Sequence, residues 1–200
     1  MNQKLKKNLI EYGVMAVVVL GIYFAGLHTE VIGFVQRGLL ATGAMNPDIE
    51  VIDENREAEV TPNEVVKADL DWELINSKGE KVAMEEFRGK VIFINFWATW
   101  CPPCVAEMPG INSMYKDLDP NKIEVVMISL DRDFEKAIKY KTSKDFDFQV
   151  YAPAGAIPPM YDSASIPTTF VIDSKGNLVF THKGMADYDR EDFKVFLKSL

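Results

Sequence analysis

The chain has 200 residues, 48% of them hydrophobic, and a formal charge of −8 at pH 7. That length allows one ordinary domain plus an attachment, with enough apolar content for a packed core. The acidic balance argues against nucleic-acid binding, and two cysteines exclude a disulfide-rich scaffold.

From Leu9 to Leu27 the chain is almost wholly apolar, with Glu11 near one end. A helix of that length rises about 28 Å, near the hydrocarbon thickness of a bilayer. Lys4, Lys6 and Lys7 precede it and are expected to stay cytoplasmic, which places the C-terminal domain on the outer face. A cleaved signal peptide competes with this reading. No small-x-small site directly follows the apolar run, and Ala41-Thr42-Gly43 lies far downstream. An uncleaved, single-pass anchor over residues 1–30 is therefore expected. Residues 31–65 read as a juxtamembrane segment and an acidic linker. Within them, 31–42 is apolar but broken by Gln36 and Arg37, which fits either an amphipathic stretch on the membrane surface or a plain linker. Residues 46–64 carry seven carboxylates, among them Asp48, Glu50 and Glu64, and read as a solvated tether.

Residues 66–200 carry the pattern of an α/β domain. Trp72 to Ala83 reads as a hairpin turning at Ser77-Lys78-Gly79. Val91–Trp97 is apolar on both faces, as a central strand is. A helix follows from Pro102 to about Leu118, with Pro102 tolerated at its start and Pro109 inside it. Ile123–Leu130 is the next buried strand, then a helix from about Asp133 to Lys144. Phe146, Phe148, Val150 and Tyr151 suggest a short strand. The 153–159 segment is an irregular loop, either bordering the functional face or simply connecting. Ser165 to Asp173 reads as a loop, a proline and a buried strand. A turn at Asp173–Asn177 leads into a strand over 178–184, and Phe193, Phe196, Leu197 and Leu200 fall at helical spacing.

The chemistry centres on Trp100-Cys101-Pro102-Pro103-Cys104, which holds both cysteines. A strand feeding Cys-x-x-Cys at a helix start is the layout of a thiol–disulfide redox site. Unpaired N–H groups and a partial charge of about +0.5 at the helix N-terminus favour a thiolate at Cys101. Cys104 lies about one turn on, within reach of a disulfide. A purely structural disulfide closing so short a loop would stabilise little. A zinc site needs about four ligands, and His28 and His182 are the only histidines.

Phe96 to Cys104, Glu107-Met108-Pro109 and Ile166-Pro167-Thr168-Thr169-Phe170 together resemble the thioredoxin superfamily, in its membrane-anchored TlpA/ResA-like branch. The resemblance spans roughly residues 66–200. It implies a thioredoxin-like fold, with a central mixed β-sheet flanked by helices and an N-terminal β-hairpin extension, preceded here by one transmembrane helix. From the residues alone, Pro167 fits a cis or a trans bond equally; the resemblance implies cis. It also implies that the Ile166 backbone pairs with an extended substrate, that Trp100, Pro102 and Pro103 border that substrate, and that Gly184 packs near the same face. Thioredoxin has a buried aspartate where Asn95 stands; the TlpA/ResA branch uses a glutamate one turn past the second cysteine, which is Glu107 here.

The implied function is reduction of extracytoplasmic protein disulfides by the Cys101–Cys104 dithiol, without metal or other cofactor, replenished by a membrane thiol electron carrier. Cytochrome c maturation is one setting. Membrane lipid, met by the N-terminal helix, is a further partner, and nucleic acid is not. Rival readings are a disulfide-introducing oxidase, from whose pattern a histidine between the cysteines is missing, and a copper carrier, for which Met108 is the one nearby extra ligand. His182 reads as a strand residue without chemistry.

Overall fold

A computed structural model describes residues 3–24, 28–40, 66–161 and 164–200. The acidic tether at 46–64 and the Ala41-Thr42-Gly43 site lie outside the described residues.

The domain is a seven-stranded mixed sheet. Its strands are β1 (Glu73–Asn76), β2 (Lys81–Ala83), β3 (Val91–Trp97), β4 (Ile123–Ser129), β5 (Gln149–Pro153), β6 (Thr168–Ile172) and β7 (Leu178–Lys183), in the order β2-β1-β5-β4-β3-β6-β7. β3 lies between parallel β4 and antiparallel β6. All seven of its residues are buried, as its two-sided apolar sequence requires. The N-terminal hairpin β1–β2 forms as expected and extends the sheet beside β5.

Alternation along β3 divides the core. Val91, Phe93 and Trp97 join one cluster with Met108, Ile111 and Met114 of α3 (Pro102–Lys116), Ala137 of α4 (Phe134–Ser143) and Phe193, Phe196 and Leu197 of α5 (Glu191–Ser199). Ile92, Ile94 and Phe96 point the other way, into a cluster with Leu70, Trp72, Leu74, Tyr151, Tyr161 and Phe170. That face is closed by the chain around Leu70–Trp72 and by short 3-10 turns at Met84–Phe87 and Pro159–Tyr161. The expectation of helices on both faces is thus corrected. The second layer is built from aromatic side chains on irregular backbone, with Trp72, Tyr161 and Phe170 in ring contact.

Local chemistry sets the ends of these elements. Asp133 caps α4 by accepting from the Glu135 N–H. Asp173 accepts from the N–H groups of Lys175 and Asn177, and Gly176 takes the positive φ of 81° that closes the β6–β7 turn. The last helix starts at Glu191, and Tyr188 ahead of it is wholly buried against Phe93 and Phe193. The loop after β5 packs on the hairpin, with the Ala154 N–H donating to the Glu73 carbonyl at 2.9 Å.

The N-terminal region forms two helices, α1 (Gln3–Phe24) and α2 (His28–Leu40). Among the described residues, no helix is long and apolar enough to cross a membrane. The expected transmembrane helix covers Leu9–Leu27. In the structure Lys4, Lys6, Lys7, Asn8 and Glu11 occupy the first turns of α1, and its described helical span ends at Phe24. Many of its apolar side chains, including Val14, Val17, Val19 and Leu20, are exposed.

α2 is not a linker. It buries Thr29, Gly33 and Leu40 and packs on α3. A Cβ at Gly33 would lie 2.9 Å from Val105 Cγ2 and 3.3 Å from the Pro102 carbonyl, so the missing side chain lets the two helices meet. Lys144 of the α4 C-cap binds Glu30 at 2.9 Å and ties down the start of α2.

Candidate active site

β3 ends at Trp97, and Ala98 to Trp100 carry the chain to Cys101, the N-cap of α3. Thr99 is fixed by Asp131, which accepts from its N–H at 2.9 Å and its hydroxyl at 2.6 Å. Cys101 and Cys104 are joined as a disulfide. Both are buried, Cys101 at 4% exposure and Cys104 at 0%. Cys101 is nevertheless the outer sulfur of the two.

Because Cys101 is the N-cap, its sulfur occupies the place of a capping oxygen. The Cys104 N–H donates to Cys101 Sγ at 3.3 Å. Pro102 and Pro103 fill the first two helical positions and have no N–H, so Cys104 is the first residue of α3 to offer one. Restoring a donor with Pro103→Ala is expected to enlarge the thiolate fraction at Cys101. Its alkylation rate at pH 6 in the reduced protein should rise about threefold to tenfold. An unchanged rate would mean that the helix start does not control this sulfur.

The Ile166–Pro167 bond is cis, and the Ile166 carbonyl oxygen lies 3.7 Å from Cys101 Sγ. The Gly184 N–H donates to the Pro167 carbonyl at 2.8 Å, so β7 holds the proline loop. Gly184 has φ 105°, and an added Cβ would meet nothing within the chain. Its backbone conformation, not internal crowding, calls for glycine. Trp100 is 60% exposed, whereas Trp97 is fully buried.

Glu107 is buried beneath α3, one helical turn past Cys104 and on the same face. Loss of solvation pushes its carboxyl up to about 8, against two hydrogen bonds that favour the carboxylate. Asn95 Nδ2 donates to Oε1 at 2.8 Å, and the Ala186 N–H donates to Oε2 at 3.1 Å. Asn95 Nδ2 also donates to Thr169 Oγ1 at 3.0 Å, and the Tyr188 hydroxyl donates to the same oxygen at 2.7 Å. A buried polar line thus runs Tyr188–Thr169–Asn95–Glu107. Asn95 does not replace the thioredoxin aspartate as a proton acceptor; it positions the carboxyl group of Glu107, which can take up a proton.

Sequence reasoning missed Thr169, Tyr188 and Ala186, and missed the contact of Asn95 with Glu107. One signal was present: an asparagine inside an otherwise apolar buried strand must find partners. His182 lies on β7 with burial lowering its pKa, and Nε2 has no hydrogen-bond partner among the described residues.

A cysteine pair at the N-terminus of the helix after the central strand, facing a cis-proline just ahead of the neighbouring strand, defines a thiol–disulfide oxidoreductase of thioredoxin fold. Comparison with known proteins agrees. Residues 65–181 match the model of the AhpC/TSA family, and the chain belongs to that family. It is 29% identical over 138 residues to the thiol-disulfide oxidoreductase ResA of Bacillus thuringiensis subsp. konkukian, covering 68% of this chain and 79% of that protein. It is 32% identical over 117 residues to the thioredoxin-like protein YneN of Bacillus subtilis, covering 57% and 68% respectively. Among solved structures, a thiol:disulfide interchange protein of Chlorobium tepidum superposes with a TM-score of 0.55 at 26% identity, covering 70% of this chain and 99% of that one.

Proposed function

We propose that the protein is a membrane-attached reductase of extracytoplasmic protein disulfides. The observation that carries this reading is the pairing of an N-cap disulfide with a buried carboxyl one turn on. In the reduced enzyme the Cys101 thiolate attacks one sulfur of a substrate disulfide. A Cys101–substrate bond forms, and the other substrate sulfur leaves and takes a proton. Glu107 accepts the proton of Cys104. The Cys104 thiolate attacks Cys101 Sγ, the Cys101–Cys104 bond forms, and the second substrate sulfur leaves. A membrane thiol electron carrier then returns two electrons to the pair, and the proton held by Glu107 goes back to Cys104 while Cys101 is restored as the thiolate. Ile166 and Pro167 offer an extended edge to the substrate backbone, and Trp100, Pro102 and Pro103 frame it. Haem-binding cysteines of apocytochrome c fit as substrates.

Attachment rests on α1. Its exposed apolar residues, preceded by Lys4, Lys6 and Lys7, support insertion with the N-terminus inside and the domain on the periplasmic side. The test is made on the full chain in membranes. It is expected to stay in the pellet after carbonate washing, and to reduce the interchain disulfides of insulin once its own pair is reduced. A soluble, trimmed product would contradict the attachment, and an inert reduced protein would contradict the reductase.

A further inference from the structure

Beside the cysteine pair lies a groove that the thioredoxin-like domain does not build alone. It has a volume of about 510 Å³ and is lined by Thr99 and Trp100, by Lys136, Lys139 and Tyr140 of α4, and by Thr29 and Glu30 of α2. Its apolar and aromatic walls and its charge single it out. Within residues 66–200 the exposed large apolar side chains are Val66, Trp100 and Val195, and Trp100 alone of these adjoins a reactive cysteine. Its indole and the Tyr140 ring give the groove aromatic walls of the kind that bind side chains well.

The charge of the groove opposes that of the chain. The protein carries −8 overall. Lys136 and Lys139 nevertheless line this groove, and neither makes an ion pair among the described residues. Of the residues lining the groove the one carboxylate, Glu30, is already paired with a lysine, while Asp131, outside the lining, keeps its charge and holds Thr99. Glu30 binds Lys144 at 2.9 Å. Asp131 accepts three hydrogen bonds, from the Thr99 N–H, the Thr99 hydroxyl and the Ser129 hydroxyl. What remains is a groove lined by two lysines without ion pairs among the described residues and two aromatic rings on an acidic protein, reaching Trp100, the residue before the sulfur that attacks.

The geometry points to a docking groove for an extended peptide segment of the substrate, one that places an apolar side chain against Trp100 and acidic residues against Lys136 and Lys139. This rests on the reductase reading above and adds the class of substrate. α2 forms one wall, so the N-terminal extension contributes to selection as well as to attachment. Unlike charges across such a contact raise encounter rates and favour the correct partner.

The test uses the detergent-solubilised full chain and three disulfides. Two are synthetic peptides with the same internal disulfide and one phenylalanine, flanked by aspartates in one and by lysines in the other. The third is hydroxyethyl disulfide, which is small and neutral. The native chain is expected to favour the aspartate peptide about tenfold in kcat/KM at low salt, with the preference shrinking as salt rises. Lys136→Glu combined with Lys139→Glu should reverse that preference, mainly through KM, with the ratio of the two peptides read relative to hydroxyethyl disulfide turnover, which carries whatever the added charge does to Cys101 itself. Both lysines are exposed on α4, so the fold is expected to tolerate the exchange. Equal use of the two peptides by the native chain, or an unchanged preference in the double variant, would overturn the groove while leaving the reductase standing. Failure to reduce even hydroxyethyl disulfide would overturn the reductase reading, and the groove's role with it.

Discussion

Cys101→Ser is expected to abolish disulfide reduction, while Cys104→Ser accumulates mixed disulfides with substrate. The asymmetry follows from position. Cys101 caps α3, receives the Cys104 N–H, lies 3.7 Å from the Ile166 carbonyl of the proline loop and keeps 4% of its surface open. Cys104 is sealed beneath it at 0% exposure. A substrate disulfide can therefore reach the first sulfur and not the second. Removing Cys101 removes the nucleophile, and turnover should fall to the uncatalysed rate. Removing Cys104 leaves the first attack intact and deletes the resolving one, so the intermediate persists. Non-reducing gels of cells carrying each variant make the comparison. Equal trapping by both variants would contradict the assignment.

Glu107→Gln is expected to slow resolution of the mixed disulfide roughly a hundredfold where proton transfer limits the step. With the carboxyl pushed up to about 8, only a minority is ionised at neutral pH. The native rate should therefore climb as pH rises through about 8, and the variant should lose that limb of the profile. Initial attack by Cys101 should survive, since Glu107 is a buried residue of α3 one turn beyond Cys104 and touches neither sulfur's capping contact.

Stability gives a second readout with a definite sign. The native carboxyl holds its proton more tightly than the unfolded one, so its burial is unpenalised below about 4.5, increasingly destabilising between about 4.5 and 8, and fully so above. The difference amounts to roughly 5 kcal/mol. The native protein should lose stability as pH rises across that window, and Glu107→Gln should flatten the curve. Glutamine still leaves one donor facing the Ala186 N–H, at a cost of about 1–3 kcal/mol, so the net gain at high pH is smaller than the full amount. Identical pH curves for rate and stability would reduce Glu107 to a packing residue.

Much of the fold was legible because it is local. The apolar run Val91–Trp97, broken only by Asn95, the cysteines at a helix start, the Ser77–Gly79 turn and the Asp173–Asn177 turn each carry their own short-range chemistry, and each forms where expected. The site was legible as far as one helix reaches, from Cys101 through Cys104 to Glu107. Its supports were not. Thr169 meets Asn95 across 74 residues and is itself bonded by Tyr188, through side-chain bonds that no periodicity announces.

The seat of α2 was hidden for a similar reason. Its broken apolar pattern, with Gln36 and Arg37, suits a membrane surface as well as a protein one. Only the close approach at Gly33 to the Pro102 carbonyl decides between them. The second sheet face was misjudged because Trp72, Tyr161 and Phe170 cover by bulk what helices were expected to cover by length.

The most direct measurement is the order of alkylation in the reduced protein near neutral pH, followed by mass spectrometry of the peptide that carries both cysteines. The account predicts that Cys101 is modified well before Cys104, and that Cys104 follows only as its proton is lost. Faster modification of Cys104, or equal rates at the two sulfurs, would contradict the attacking and resolving roles on which the mechanism stands.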